Sequence, residues 1–140
     1  MNNKVLYEKD GDIGRITLNN PEKSNPITKE VLTDLIDAFK LSHKNQDMCV
    51  IYSAKGENFT FGADLKYGYE LIRNKDKQSE AAEYLWSWQE LTIAMMDHPG
   101  IIIVGYHGWI VGGGFEHTLP CDLRIAADNT KIMLPELSLG

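Results

Sequence analysis

Three consecutive glycines, Gly112 to Gly114, follow an apolar stretch and come just before a segment that predicts a short helix. Backbone N–H groups at such a junction can bind an anion, because no side chain shields them and the helix dipole favours negative charge there. Glu116 follows about one helical turn later, so its carboxylate can face the same side as the N–H of Gly113. A second glutamate, Glu136, follows a proline near the end of the sequence. The combination indicates a site that holds negative charge beside carboxylates.

Two familiar phosphate-binding motifs do not fit the glycine cluster. A P-loop has the form Gly-x-x-x-x-Gly-Lys-Ser/Thr. Gly108 and Gly113 have the right gap, but the next two residues are glycine and phenylalanine. A dinucleotide fingerprint that begins at Gly112 needs a small residue where His117 stands, because a large ring there blocks close helix–strand packing.

An oxyanion hole fits better, since it needs two unobstructed N–H donors aimed at one developing O⁻. Gly113 supplies one donor, and the small-residue loop 62–64 is the candidate for the second. The alternative is that these glycines serve tight helix–strand packing alone. We expect Glu116 to be buried, because Phe115 and Leu119 predict a mostly buried helix. A buried glutamate needs a partner or a function, and this expectation favours the oxyanion hole.

An α/β framework is predicted to position these residues, because short β-prone runs alternate with segments of helical periodicity. We expect parallel strands in a single domain. The segment 66–80 is predicted to be a polar loop of uncertain helicity, and Ile101–Tyr106 is predicted to be a strand buried on both faces. The predicted elements are a hairpin of Val5–Glu8 and Ile13–Leu18, a helix from Thr28 to about His43, a strand Met48–Ser53, a helix from Glu80 to about Met96, the strand Ile101–Tyr106, a short helix after the glycines, and strands Leu123–Ala127 and Lys131–Leu134.

Composition excludes several classes of protein. The 140 residues are 43% hydrophobic and 24% charged, which is typical of globular domains, and no apolar run approaches the roughly 20 residues that a membrane span needs. The net charge of −6 argues against broad binding to nucleic acid or to anionic membranes. Two cysteines show no metal-ligand spacing, so we expect no metal site and reduced thiols in the cytoplasm.

With these residues assembled, the sequence resembles the crotonase family, the enoyl-CoA hydratase/isomerase superfamily. Four segments carry the resemblance in order: Ile16–Pro21 with Asn25, then Phe59–Lys66, then His107–Glu116, then Cys121–Ala126 running on to Pro135–Leu137. The resemblance implies an α/β crotonase-like (ClpP/crotonase) fold, a spiral of ββα turns that binds an acyl-CoA thioester.

The resemblance also implies roles for individual residues. The N–H groups of Ala63 and Gly113 would form the oxyanion hole for the thioester carbonyl. Glu116 would activate water and Glu136 would deliver the α-proton, which makes the implied activity an enoyl-CoA hydratase, a hydro-lyase that adds water syn to a 2-enoyl-CoA in fatty acid metabolism. The only cofactor implied is the coenzyme A of the substrate itself.

Binding of coenzyme A in this acidic chain must rest on local donors. The best local candidate for the phosphates is Lys66, and Lys23 is a weaker one; simple solvation is the alternative for both. By the resemblance, Gly62, Asp64 and Leu65 would also line the CoA site.

The sequence departs from the family pattern at a few positions. Phe61 stands where the family usually has a small residue, and this ring could reshape the CoA pocket. His107 replaces a common asparagine, whereas His117 points about 100° away from Glu116 and is expected to pack behind the helix. The alternatives are therefore another crotonase reaction (isomerisation, C–C hydrolysis or decarboxylation) or a non-catalytic CoA-binding module.

The length of the sequence also bears on function. We interpret residues 1–140 as the N-terminal portion of a single crotonase-like domain, whose C-terminal helical and trimerisation region would follow Gly140. We expect these 140 residues to be inactive by themselves, and the full-length protein to be a homotrimer or a hexamer built as a dimer of trimers.

Overall fold

Strands and helices alternate along residues 4–139, the part of the chain that this computed structural model describes, with only the backbone described at 137 and 139. Residues 1–3 and Gly140, which were assigned to the same domain from the sequence, lie outside the described residues. The elements are β1 (Val5–Asp10), β2 (Ile13–Leu18), α1 (Lys29–Lys44), β3 (Cys49–Ala54), α2 (Leu65–Arg73), α3 (Gln78–Met96), β4 (Ile101–Tyr106), β5 (Trp109–Val111), α4 (Gly113–Glu116), β6 (Leu123–Ala126), β7 (Lys131–Met133) and α5 (Glu136–Leu139), with 3₁₀ turns at Pro21–Lys23 and Lys75–Lys77.

The main sheet has five strands in the order β1-β2-β3-β4-β6. β1 and β2 form the predicted antiparallel hairpin, and Gly11 takes the left-handed φ of 60° that its tight turn requires. The other neighbours in this sheet pair in parallel, as predicted, so that Val50 lies opposite both Gly14 and Ile102. A second, two-stranded parallel sheet pairs β5 with β7.

Helix α1 forms where its apolar periodicity predicted it. The Thr28 side chain accepts a hydrogen bond from the Val31 N–H at 3.3 Å and so caps the helix. Leu32, Leu35 and Phe39 are completely buried in the core on one face of the helix. Thr28 and this apolar face therefore determine both the start of α1 and its orientation.

The prediction of a polar loop at 66–80 is wrong, because helix α2 and the start of α3 occupy most of this segment. The Asp64 side chain caps α2 by accepting from the Tyr67 N–H at 3.1 Å. The Tyr67 ring packs edge-on against Tyr84 of α3, with ring centroids 5.2 Å apart. These contacts stabilise a helix that buries a single residue, Leu71.

Strand β4 has the predicted bounds but not the predicted burial on both faces. Ile102, Val104 and Tyr106 are buried, whereas Ile101 is 54% exposed and Ile103 is half-buried. Successive side chains of a strand point to opposite faces, and only one face of β4 packs against the core within residues 4–139.

A buried carboxylate fastens the hairpin to the end of α1. Asp47, only 1% exposed, accepts hydrogen bonds from the Tyr7 hydroxyl at 2.7 Å, the Ser42 hydroxyl at 2.6 Å and the Lys9 ammonium at 2.5 Å. The Ser42 hydroxyl also lies 3.0 Å from Nε2 of His98, at the end of α3. Burial of a charge is tolerated here because three donors satisfy it.

Within residues 4–139, no helix is both long enough and apolar enough to cross a lipid bilayer.

Candidate active site

The two small-residue loops singled out in the sequence touch each other at the start of α4. A β-carbon placed on Gly114 would lie 3.1 Å from the Cα of Gly62 and 2.5 Å from Cγ2 of Thr60. Gly62 itself has a φ of +80°, a conformation that favours glycine. Glycine is therefore needed on both sides of this contact, which brings loop 62–64 against the glycine cluster.

Ala63 and Gly113 line the same cavity, of about 390 Å³, at this contact. Among the described residues, neither of their N–H groups donates a hydrogen bond to a backbone oxygen. The neighbouring peptides are fixed, because the Gly62 carbonyl accepts from the Ile27 N–H at 2.8 Å and the Gly112 carbonyl accepts from the Phe115 N–H at 2.8 Å. Two residues on anchored loops, whose N–H groups have no backbone acceptor among the described residues, therefore line one cavity.

The amide of Asn25 organises the loop that leads to Ala63. Its Nδ2 donates to the carbonyls of Lys55 at 2.9 Å and of Asn58 and Phe59, both at 3.1 Å. Its Oδ1 accepts from the Asn20 N–H at 2.8 Å. Asn25 is 2% exposed, and its φ of 51° is a left-handed conformation that asparagine tolerates better than most residues. Asn25 belongs to a motif identified in the sequence, but no role was predicted for it there.

Thr60 continues this network toward the cavity. Its hydroxyl donates to the Asn25 carbonyl at 2.5 Å and accepts from the Gly62 N–H at 3.0 Å. Thr60 is completely buried. The conformation of loop 62–64 is thus set by a continuous chain of hydrogen bonds.

Both glutamates predicted from the sequence line the cavity with Ala63 and Gly113. The expectation that Glu116 is buried is wrong, because its side chain is exposed and Leu119 is 55% exposed. Helix α4 has only four residues, so its outer side carries no apolar stripe that packs on the described core. The carboxylate of Glu116 therefore faces the open cavity.

Glu136 approaches the glycine cluster from the start of α5. Its Oε1 lies beside Gly112, so close that a β-carbon on this residue would clash with it. Gly112 has a φ of +51°, and its N–H donates to the Met133 carbonyl at 2.8 Å, which ties the cluster to β7. The two carboxylates thus reach one cavity from two different short helices, α4 and α5.

Helix α3 supplies a wall of the cavity that was not predicted from the sequence. The Cη2 atom of Trp88 lies 3.2 Å from the point where a β-carbon on Gly113 would be. On the same helix Met95 is buried, whereas Trp86 and Met96 are 58% and 71% exposed. A helix face that lines a cavity has the same spacing as one that packs in a core. The other α3 residues in this wall are Leu85, Gln89 and Thr92.

His117 packs behind α4, as predicted, and also reaches the edge of the cavity. Its ring is buried, with Nδ1 2.9 Å from the Gly113 carbonyl and Nε2 2.9 Å from the Tyr52 hydroxyl. Burial lowers the pKa of His117 to about 4, so the imidazole is neutral at pH 7.

The lysines predicted to bind coenzyme A lie apart from this cavity. Lys66 is on α2 and lines a second, open cavity of about 640 Å³ together with Arg73 and Lys77. Lys23 ends an exposed 3₁₀ turn outside both cavities, and Leu65 is 70% exposed. Gly62 and Asp64 instead shape the loop and cap α2, as described above.

Among residues 4–139, no group of three or more His, Cys, Asp or Glu side chains is arranged to hold a metal ion.

The sequence model of the family described as enoyl-CoA hydratase/isomerase matches residues 8–140 of this chain. The chain belongs to this family. The family assignment predicted from the four sequence segments is therefore confirmed.

Relatives of known sequence and structure agree with the family. The chain is 32% identical over 144 residues to the hydroxycinnamoyl-CoA hydratase-lyase of Pseudomonas fluorescens, with 97% of this chain and 50% of that protein covered. It is 26% identical over 140 residues to the short-chain-enoyl-CoA hydratase of Clostridium acetobutylicum, with 99% and 52% covered. The crystal structure of enoyl-CoA hydratase from Thermoplasma volcanium superposes with a TM-score of 0.84 at 30% identity, with 98% of this chain and 53% of that chain covered.

These matches confirm the crotonase-like α/β fold, of which this chain contains a part. The chain spans about half the length of the relatives that it matches.

Proposed function

We propose that the protein is an enoyl-CoA hydratase, which adds water syn across the double bond of a 2-enoyl-CoA. The observation that carries this proposal is the single cavity lined by Ala63, Gly113, Glu116 and Glu136. Two backbone donors and two carboxylates are the groups that such a hydration needs. The names of the two relatives, both hydratases of CoA thioesters, favour the same chemistry.

The N–H groups of Ala63 and Gly113 bind the thioester oxygen in this proposal. Addition of hydroxide to Cβ moves the electrons of the double bond toward the thioester, so its oxygen gains negative charge as an enolate forms. Donors that are already fixed stabilise this charge without reorganising, and one such donor lowers the barrier by about 3 kcal/mol in comparable sites. Gly113 also lies at the N-terminal end of α4, with no side chain to obstruct the oxygen.

The two carboxylates divide the proton transfers between them. Glu116 takes a proton from water as its oxygen bonds to Cβ, and Glu136 delivers a proton to Cα as the enolate collapses. In this proposal both carboxylates act on the same face of the double bond, so both new bonds form on that face and the addition is syn.

Coenzyme A is the only cofactor in this proposal, and it arrives as part of the substrate. Lys66, beside Arg73 and Lys77 in the second cavity, supplies positive charge for the CoA phosphates, with Lys23 as a further contributor. Gly62 and Asp64 belong to the loop that carries Ala63 of the first cavity, and Leu65 begins α2, which carries Lys66 of the second, so the thioester arm would run along these residues. The Phe61 ring, 46% exposed, lies on the same loop and would restrict the CoA moiety.

Hydration of crotonyl-CoA by the full-length protein tests this function. Glu116→Gln and Glu136→Gln should each lower kcat by several orders of magnitude, because the amide can neither take nor give the proton. Glu83→Gln is the matched control, since Glu83 is an exposed residue of α3 that pairs with Lys29 at 3.1 Å. Wild-type rates in both site variants would overturn the two-carboxylate mechanism. Loss of activity in Glu136→Gln alone would favour isomerisation instead.

We also propose that the full-length protein is a cytoplasmic homotrimer or dimer of trimers. The family resemblance favours this assembly, and both cysteines, Cys49 and Cys121, are free thiols, which suits a reducing compartment. Light scattering on the full-length protein measures the assembly, and a stable monomer would contradict it.

A further inference from the structure

The strongest unassigned feature beside the cavity is the buried contact between His117, which directly follows α4, and Tyr52 of β3. The Tyr52 side chain is completely buried and packs edge-on against His117, with ring centroids 5.7 Å apart. Trp88 lies on another side of the imidazole, with ring centroids 6.3 Å apart. The imidazole thus sits between the main sheet, the α3 wall and the first turn of α4.

The partners of the imidazole define which nitrogen carries the proton. The Gly113 carbonyl can only accept, so Nδ1 of His117 must be the donor across their 2.9 Å contact. Nε2 then offers a lone pair, which accepts the Tyr52 hydroxyl proton at 2.9 Å. Burial raises the pKa of Tyr52 well above its ordinary value, so the phenol keeps that proton. The result is a neutral histidine in one tautomer.

This histidine holds the turn that carries the functional groups. The Gly113 carbonyl accepts both from the imidazole and from the His117 backbone N–H, at 3.1 Å, so Gly113 is fixed relative to the sheet. The Gly113 N–H is part of the peptide bond between Gly112 and Gly113. The Gly112 carbonyl of this peptide accepts a hydrogen bond from the Phe115 N–H, which fixes its orientation. Because adjacent helical side chains point about 100° apart, an inward His117 directs Glu116 outward to the cavity.

We propose that His117 and Tyr52 form a positioning pair. This pair holds the Gly113 N–H and the Glu116 carboxylate where they can act on a CoA enolate, and it takes no part in proton transfer. The inference rests on the proposed thioester chemistry, but it applies to any reaction that passes through a CoA enolate.

Two properties separate this role from a catalytic one and from simple packing. A positioning residue acts on the charged transition state, so its loss should lower kcat and leave KM little changed. A side chain that kept only the donor to Gly113 should restore most of the activity. Asparagine in place of His117 would keep that donor, because its amide nitrogen lies near the place of Nδ1. The informative variants are therefore His117→Asn and His117→Leu.

The experiment uses the full-length protein with crotonyl-CoA for rates and acetoacetyl-CoA, which ionises to an enolate with its own ultraviolet absorption, for binding. We expect His117→Leu to lower kcat about 10²-fold, near the lower end of the cost of losing one oxyanion donor. His117→Asn should recover most of this loss, and Tyr52→Phe should lose about fivefold, the equivalent of one neutral hydrogen bond. His43→Leu, at an exposed histidine of α1, is the matched control.

Two readouts make the outcome independent of hydratase activity. Bound acetoacetyl-CoA should show enolate absorption in the wild type and in His117→Asn, but much less in His117→Leu at saturation. Nitrogen-15 NMR of the wild type should show the Nδ1–H tautomer of His117 from pH 6 to pH 8. If hydration were absent but these two results held, the proposed function would fail while the positioning pair stood. Equal enolate absorption in wild type and His117→Leu, its absence in the wild type, or an Nε2–H tautomer would overturn the pair.

Discussion

Oε1 of Glu136 lies against the position that a β-carbon on Gly112 would take, too close for both to be accommodated. The second carboxylate of the cavity is therefore seated directly on the backbone of the glycine cluster that precedes the Gly113 donor. In the proposed reaction the Gly113 N–H binds the thioester oxygen and Glu136 protonates Cα, and both groups adjoin Gly112. Glycine at 112 would therefore serve the proposed reaction as well as the turn.

Gly112→Ala should therefore impair activity through Glu136. The methyl group would displace a flexible carboxylate, and alanine at a φ of +51° is also strained by about 1 kcal/mol or more. We expect kcat for hydration of crotonyl-CoA to fall at least tenfold, a change that corresponds to about 1.4 kcal/mol in the barrier. Gly105→Ala in β4 is the control, because nothing lies within 4 Å of its added β-carbon. Equal rates in the two variants would show that Glu136 does not depend on Gly112.

Much of the framework could be predicted from the sequence, because it depends on local patterns. Helix α1 has a capping threonine and an apolar face, and β4 has a continuous apolar run, so both were predicted within a residue or two. Helix α2 was not predicted, because it buries a single residue and depends on a cap at Asp64 and a ring contact to Tyr84. A ring contact with a later helix cannot be read from the local sequence, and the polar and charged residues of this segment favoured a loop.

Contact between the two donor loops predicts a specific pair of variants. A β-carbon on Gly114 would meet Cγ2 of Thr60 at 2.5 Å, so Gly114→Ala should push the loops apart, with a loss of about 1–3 kcal/mol in the free energy of unfolding. Thr60→Ser removes Cγ2 but keeps the hydroxyl that bonds Asn25 and Gly62. The double variant should therefore be more stable than Gly114→Ala alone, in urea unfolding of the full-length protein. Strictly additive losses would mean that the two side chains do not meet.

The candidate site was predictable only in part, for a similar reason. Residue type and spacing indicated Gly113, loop 62–64 and two glutamates, and the family resemblance implied Ala63 as the donor within that loop. The place of Trp88 in the cavity wall was not predicted, since helical spacing does not reveal whether a face meets protein or a cavity. The exposure of Glu116 was likewise missed, because burial of a four-residue helix depends on what packs over it.

Asn25 provides a test of how the Ala63 loop is held. Asn25→Asp replaces an amide that donates to three carbonyls with a carboxylate that repels them, so a loss of roughly 3 kcal/mol or more in the free energy of unfolding is expected. Asn25→Gly is the informative partner, because glycine tolerates the φ of 51° and removes only the side-chain bonds. Denaturant unfolding should rank wild type above Asn25→Gly and Asn25→Gly above Asn25→Asp. Glycine equal to wild type would mean that the amide does not hold the loop.

Asp47, which does not line the cavity, should make the free energy of unfolding depend on pH. Burial by itself would raise the pKa of its carboxyl, but the hydrogen bonds from Lys9, Ser42 and Tyr7 outweigh that effect and hold the pKa below the ordinary 3.8. The folded state therefore favours the ionised form, and the stabilisation is present above the ordinary pKa of aspartate and is lost as pH falls through the lower folded value. Asp47→Asn should lose about 2 kcal/mol at pH 7, the cost of breaking a buried charged hydrogen-bond cluster. Its urea midpoint should also fall less steeply than that of wild type between pH 5 and pH 3, whereas exposed Asp37→Asn should follow wild type. Parallel curves for Asp47→Asn and wild type would mean that this carboxylate does not favour ionisation in the folded protein.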